Sequence, residues 1–276
     1  MNVSRVLALL GKELLDLRGR PGLFWPSLFT GAVAIFLPVF VVVLIPAVTG
    51  ERLSDSSDLQ LALTLYRDQP WARVLDPESA IQAVIFQQFL VMLVLSPVAA
   101  AMSLAAYSVI GEKQARSLEP LLATPISTFE LLLAKILGAF LPALALSFLC
   151  FALNVAVAAA FARPGVFLVL LAPRSLGVLF LLGPMAALTS LTLAVCVSSR
   201  VNDARSAQQL AVLVVLPLTG LLVAQLTAGF VITMPIVLLI TAVLAAINAG
   251  LMRLGVALFD RETILTRWKQ KIRARP

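Results

Sequence analysis

A chain of 276 residues that is 61% hydrophobic and 13% charged, with a mean hydropathy of +1.01, is too apolar for an ordinary soluble globule and reads as an integral membrane protein. Its formal charge of +7 sits on basic residues beside oily segments. Membrane orientation and lipid headgroups account for such residues, so nucleic acid is set aside as a partner. The chain has no histidine, which excludes His-based triads, His-ligated zinc and His proton relays, while Cys150 and Cys196 lie singly in apolar runs and predict neither a disulfide nor a metal site.

In chain order, residues 2–20 place Val3, Val6, Leu10, Leu14 and Leu17 at helical spacing, with Arg5, Lys12, Glu13, Asp16 and Arg18 largely elsewhere on the wheel. This predicts an amphipathic helix in the membrane interface, read as an anchor in preference to an ATPase contact. Charges interrupt the segment, which fits a cleaved signal peptide poorly. The first span is expected over residues 23–48, with Pro26, Pro38 and Pro46 bending it. A polar segment, residues 49–79, mixes acids and arginines around a short helix expected over Leu59–Tyr66. Its acids match no calcium-loop spacing. Asp76-Pro77-Glu78 then supplies an N-cap, a first-turn proline and an acid suited to the helix dipole, opening the next helix. Span two is expected over residues 81–110, long enough to project from the bilayer and broken at Ser96-Pro97.

Between two oily segments stands a compact polar island, Gly111 to Lys135. Ser127 with Glu130 three residues on predicts a capping box, and Ile126 with Leu131 a hydrophobic staple, so a helix begins there. Upstream, Ser117 can cap a short helix, Leu118–Ala123, that tolerates Pro120 in its first turn. It ends near Thr124, because Pro125 disfavours helical geometry in the residue before it.

The pattern Gly111-Glu112-Lys113, Ser117-Leu118-Glu119-Pro120-Leu121-Leu122, Pro125-Ile126-Ser127, Glu130-Leu131 and Lys135 resembles the cytoplasmic loop of the ABC type-2 transporter permease family. A second match, Arg200 to Leu210, is similar to the Ala-Gln-Gln entry to the fifth span in sodium-efflux-type members. In this chain Pro120 lies inside the Leu-Glu-x-Leu-Leu core of the pattern. The resemblance implies that the short helix docks in a cleft of a separate ATP-binding subunit and passes its closure to the spans. Glu112, Leu118, Glu119, Pro120, Leu121, Leu122 and Pro125 are the implied contacts. ATP and magnesium would then belong to that partner, with no cofactor in this chain. The family also implies a second permease protomer, identical or similar, so that each supplies half of a pathway.

Span three is expected over residues 130–161 with Pro142 inside it, followed by an apolar piece, residues 165–172, too short to cross and placed at the outer interface or as a dip and return. Spans four, five and six are expected over residues 175–197, 207–228 and 234–252, and a basic tail follows. Of the 21 Lys and Arg residues, about sixteen fall on one side and about five on the other if both termini are cytoplasmic. That asymmetry puts the central loop in the cytoplasm and residues 49–79 outside.

Apart from Lys135, near an expected cytoplasmic end, no Asp, Glu, Lys or Arg is centrally placed in a span. Proton-driven transport normally needs an ionisable group there despite an insertion cost of about 2.5 to 3.5 kcal/mol. The sequence contains no Gly-x-x-x-x-Gly-Lys-Ser/Thr phosphate loop either, so ATP hydrolysis must reside elsewhere. Gln87, Gln88 and Asn154 are the first pathway candidates among the intramembrane polar residues, although such groups more often bond helices together. The reading is therefore an all-α membrane protein of the bacterial or archaeal cytoplasmic membrane. It is one permease domain, residues 1–276: interfacial helix 1–22, six-helix bundle 23–252 with outer segment 49–79 and cytoplasmic loop 111–130, and basic tail 253–276. It acts as the permease subunit of an ATP-driven exporter. The alternative is a non-transporting scaffold or assembly factor, for which the loop is only a connector.

Overall fold

The computed structural model describes residues 3–19, 21–50, 52–66, 69–114, 127–200, 216–217, 219–220, 223–224 and 232–258. Every regular element among them is helical. Five helical stretches are long and apolar enough to cross a membrane: Pro21–Thr49, Pro77–Met102, Phe129–Phe161, Pro173–Val197 and Met234–Val256. The expected fifth span, residues 207–228, lies almost wholly outside the described residues.

The first helix, α1 (Val3–Arg18), precedes the first span, which is built from a 3-10 turn, α2 (Trp25–Val39), a π-helical turn (Phe40–Leu44) and α3 (Ile45–Thr49). A proline lacks the N–H that would close the helical turn behind it. The chain answers by widening: the π turn ends two residues before Pro46, and a second π turn, Val178–Leu182, ends two residues before Pro184. Gly50, with φ +72, ends the span by turning left-handed and returning its N–H to the Pro46 carbonyl at 3.0 Å.

The segment to the second span folds into short turns and α4 (Ser57–Leu65), close to the expected helix. Glu78 fastens it, since its carboxylate accepts from the N–H groups of Leu53 (3.3 Å) and Ser54 (3.0 Å). α5 (Pro77–Gln114) starts where Asp76-Pro77-Glu78 predicts. Asp76 accepts the Ser79 hydroxyl at 2.5 Å and the Ser79 N–H at 3.4 Å, and pairs with Arg163 at 3.0 Å. These partners, the Ser79 hydroxyl first, hold its carboxyl below the usual carboxylate value.

α5 corrects the expectation of a break at Ser96-Pro97, because the helix runs unbroken through Pro97. Proline is tolerated inside a membrane helix when neighbours fix its path. Here Ser96 Oγ meets Ser27 Oγ at 2.8 Å and the Ser27 carbonyl at 3.1 Å, bracing the turn beside Pro97 against the first span. α5 is the most buried of the five spans and forms the axis of the bundle, with Phe86, Leu93, Val94 and Leu104 sunk in the core.

α6 (Thr128–Phe161) returns antiparallel to α5, and Gln82 accepts the Arg163 N–H at 2.9 Å where the two ends meet. The short apolar piece forms α7 (Val166–Leu170), one turn packed inward by Val166, Val169 and Leu170. α8 (Pro173–Gly177) continues through the second π turn into α9 (Gly183–Arg200). α10 (Met234–Leu258) leans on α9, where Thr189 Oγ1 donates to the Leu244 carbonyl at 3.3 Å. Phe29, Phe36 and Phe40 on the first span and Leu239, Val243, Ile247 and Leu254 on α10 face outward, as suits lipid or a partner.

Candidate functional site

The two helices that flank the central loop are longer than a bilayer requires. α5 continues about 12 residues past the apolar stretch that ends at Met102, a stalk of roughly 18 Å at the helical rise. Glu112 sits in the last turn of that stalk. Leu118, Glu119, Pro120, Leu121, Leu122 and Pro125, with the short helix expected over Leu118–Ala123, lie outside the described residues.

On the far side of the loop the chain is pinned at once. Ser127 Oγ accepts from the Glu130 N–H at 3.2 Å, and Glu130 Oε2 accepts from the Ser127 N–H at 3.1 Å, closing a reciprocal box at the start of α6. The box satisfies two donors that a helix start leaves open, so α6 begins sharply. One turn on, Leu131 and Ala134 receive Val6 and Leu9 of α1 in a small apolar cluster of their own.

This contact corrects the expected polar face of α1. Glu13 is buried, and its carboxylate accepts from Lys135 Nζ at 3.0 Å, with side-chain exposures of 1% for Lys135 and 11% for Glu13. Burying a lysine in an apolar helix is costly unless a partner compensates its charge. The pair explains why Glu13 leaves the solvated side of the wheel. Lys12 stands 3.9 Å from the same carboxylate and 3.8 Å from Asp16. The approach of α1 depends on Gly138, where an added Cβ would lie 2.7 Å from the Glu13 Cβ. Capping box, ion pair and close approach fall within the first three turns of α6, so α1 is clamped to the segment that leaves the central loop.

Two of the pathway candidates have partners on neighbouring helices. Gln87 is buried on α5 and accepts from Arg174 Nη1 at 3.1 Å, tying α5 to the start of the fourth span. Asn154, buried on α6, donates Nδ2 to the Ala34 carbonyl of α2 at 3.3 Å, while its Oδ1 has no hydrogen-bond partner among the described residues. Gln88 is half-buried. Gln87 and Asn154 thus act as links between helices. Among the described residues, no group of His, Cys, Asp or Glu is arranged to hold a metal ion.

Glu13, Lys135, Gly138 and Arg174 escape a reading of the sequence as site residues. A signal for the first three existed: a lysine amid apolar residues demands a buried acid, and a glycine three positions on leaves room for the helix that brings it.

A family model described as ABC-2 family transporter protein matches residues 75–251, from the start of α5 into α10. The chain belongs to the ABC-2 transporter family. A search of curated proteins finds no match. Membership makes the chain an integral membrane component of a transport system, and the five apolar helices accord with that. The central loop and both flanking helices fall inside the matched stretch, whereas α1 and the first span precede it. The clamp therefore joins a helix outside the ABC-2 match to one inside it.

Proposed function

We propose that this chain is the permease subunit of an ATP-driven exporter, that two protomers form the pathway, and that separate cytoplasmic ATP-binding subunits drive it through residues 111–130. The observation that carries this reading is mechanical. A drive from outside the membrane needs a stiff lever on each side of the loop it grips. α5 enters as an unbroken helix, and α6 leaves through a capping box with α1 bound across its first turns. A passive connector would need neither.

In this arrangement the loop faces the cytoplasm with both termini, and the short helix over Leu118–Ala123 docks on the ATP-binding subunit, which holds ATP and magnesium. Closure of that subunit pushes the start of α6, and α1 moves with it as one rigid piece. The spans carry few charges to recognise a bare ion, so a hydrophobic or amphiphilic cargo fits them better.

The test is co-reconstitution with the phosphate-loop ATPase that co-purifies with the chain. Leu121→Asp and Glu119→Lys should insert normally but separate ATP hydrolysis from transport. Unchanged coupling in both variants would remove the loop from the mechanism, and failure to recover any ATPase would favour a scaffold.

A further inference from the structure

The clamp to α6 uses only part of α1. Val6, Leu9 and Glu13 are buried against α6, yet the apolar stripe of α1 extends beyond them. Val3, Leu7 and Leu14 lie in line along the helix, about a quarter-turn round from the clamped face, and their exposures are 60%, 59% and 39%. Arg5, Lys12 and Asp16 stand on the side opposite that ridge. α1 thus has one face packed on protein, one apolar and exposed, and one charged.

What meets the ridge follows from the level at which α1 is held. The helix ends at Arg18, just before the first apolar span opens at Pro21. Its clamped face touches Leu131, Ala134, Lys135 and Gly138, which belong to the apolar span that opens at Phe129. Two spans therefore fix α1 where they enter the bilayer, and an apolar ridge at that depth meets acyl chains. A soluble partner would meet the charged side instead.

We infer that α1 couples the lipid leaflet on the side of the central loop to the start of α6, with Val3, Leu7 and Leu14 seated among acyl chains while Val6, Leu9 and Glu13 grip α6. Any displacement of the start of α6 carries α1 with it and drags the ridge against the leaflet, so the lipid resists that motion. Amphipathic helices insert more firmly where acyl chains pack loosely, and the start of α6 is therefore held more firmly in such a leaflet. The consequence for ATP-driven movement rests on the proposed function. The seat and the grip do not, so their test uses the chain alone.

The full chain carrying Trp25→Phe, Trp71→Phe and Trp268→Phe is reconstituted in phosphatidylcholine vesicles with either Leu7→Trp or Asp16→Trp as its only reporter. Acyl-chain-brominated lipid should quench Leu7→Trp, and iodide in the buffer should quench Asp16→Trp. In the otherwise wild-type chain, hydrogen exchange at the amides of residues 131–138 should be slower in dioleoyl than in the more tightly packed palmitoyl-oleoyl phosphatidylcholine. Leu7→Ser should speed that exchange about tenfold, the weight of one leucine withdrawn from hydrocarbon, and bring the two lipids together. Gly138→Leu, which wedges α1 off α6, should also remove the lipid difference while leaving Leu7→Trp quenched by brominated lipid, and the milder Glu13→Leu should shrink it. Equal quenching of the two reporters by brominated lipid, or identical exchange in the two lipids in a folded protein, would overturn the inference. Iodide quenching of Leu7→Trp that disappears when the co-purifying ATPase is added would overturn it by giving the ridge to that subunit. Lipid quenching that falls as protein density in the vesicle rises would overturn it in favour of a second copy of the chain.

Discussion

Replacing Glu13 by Leu takes the carboxylate away from an ammonium group that is almost wholly enclosed. Breaking a buried pair from one side costs about 3–5 kcal/mol, because the remaining charge keeps its desolvation penalty and loses its main compensation. Side-chain exposures of 1% and 11% leave little solvent to screen the interaction, so that range applies to Glu13→Leu with small discount. Lys135→Met should cost less, because Glu13 is the more exposed partner and has Lys12 at 3.9 Å as a second cation. Changing both residues at once removes both charges and should recover most of the loss, since a buried pair replaced by apolar groups of like volume is often neutral. Cys150 and Cys196 are buried cysteines, so a thiol-reactive fluorophore reports unfolding in detergent directly. Glu13→Leu should lower the midpoint on the order of 10 °C, and the double variant should lie close to wild type. A midpoint for Glu13→Leu within error of wild type, or a double variant that shows the sum of the single losses, would refute the ion-pair argument.

Three further outcomes follow from the same geometry. Gly138→Ala should destabilise by about 1–3 kcal/mol by pressing α1 away from α6, and in the same thiol assay the Gly138→Ala/Glu13→Leu double variant should lose less than the sum of the two single losses, because both changes act on one contact. Ser96→Ala should cost about 1 kcal/mol and Ser27→Ala less, because Ser96 retains the Ser27 carbonyl as an acceptor when the Ser27 hydroxyl is gone; the two unfolding midpoints, compared side by side, check the order. Asp76 has a folded-state pKa below its ordinary value, so its contribution is complete above the unfolded carboxylate range and disappears as pH falls through the lower folded value. The midpoint of wild type should therefore drop more steeply than that of Asp76→Asn as the pH is lowered below about 4, and parallel curves would contradict the assignment.

The parts of the fold that could be read from the residues are those set by short-range chemistry. Asp76-Pro77-Glu78 and Ser127 with Glu130 are local signals, and α5 and α6 start beside them. The lengths of the apolar runs place the first, second, third, fourth and last spans in the same way. Pro97 misled because its effect depends on what stands opposite: Ser27, 69 residues earlier, braces the turn beside it. Glu13 misled for the related reason that its partner is 122 positions away, and a helical wheel drawn for one segment cannot show a lysine arriving from another. Gln87 and Asn154 were legible as polar residues within spans, but only tertiary packing shows Gln87 meeting an arginine and Asn154 a backbone carbonyl.

The proposed function requires that motion be imposed on the spans from outside the membrane through the central loop. Vesicles containing the chain alone, the chain with its co-purifying ATPase, and the Leu121→Asp variant with the same ATPase can be compared for uptake of a fluorescent amphiphile against its gradient, with and without ATP. Uphill movement should require chain, ATPase and ATP together and should vanish in the variant while hydrolysis continues. Uphill movement by the chain alone without nucleotide, or undiminished movement in the variant, would contradict it.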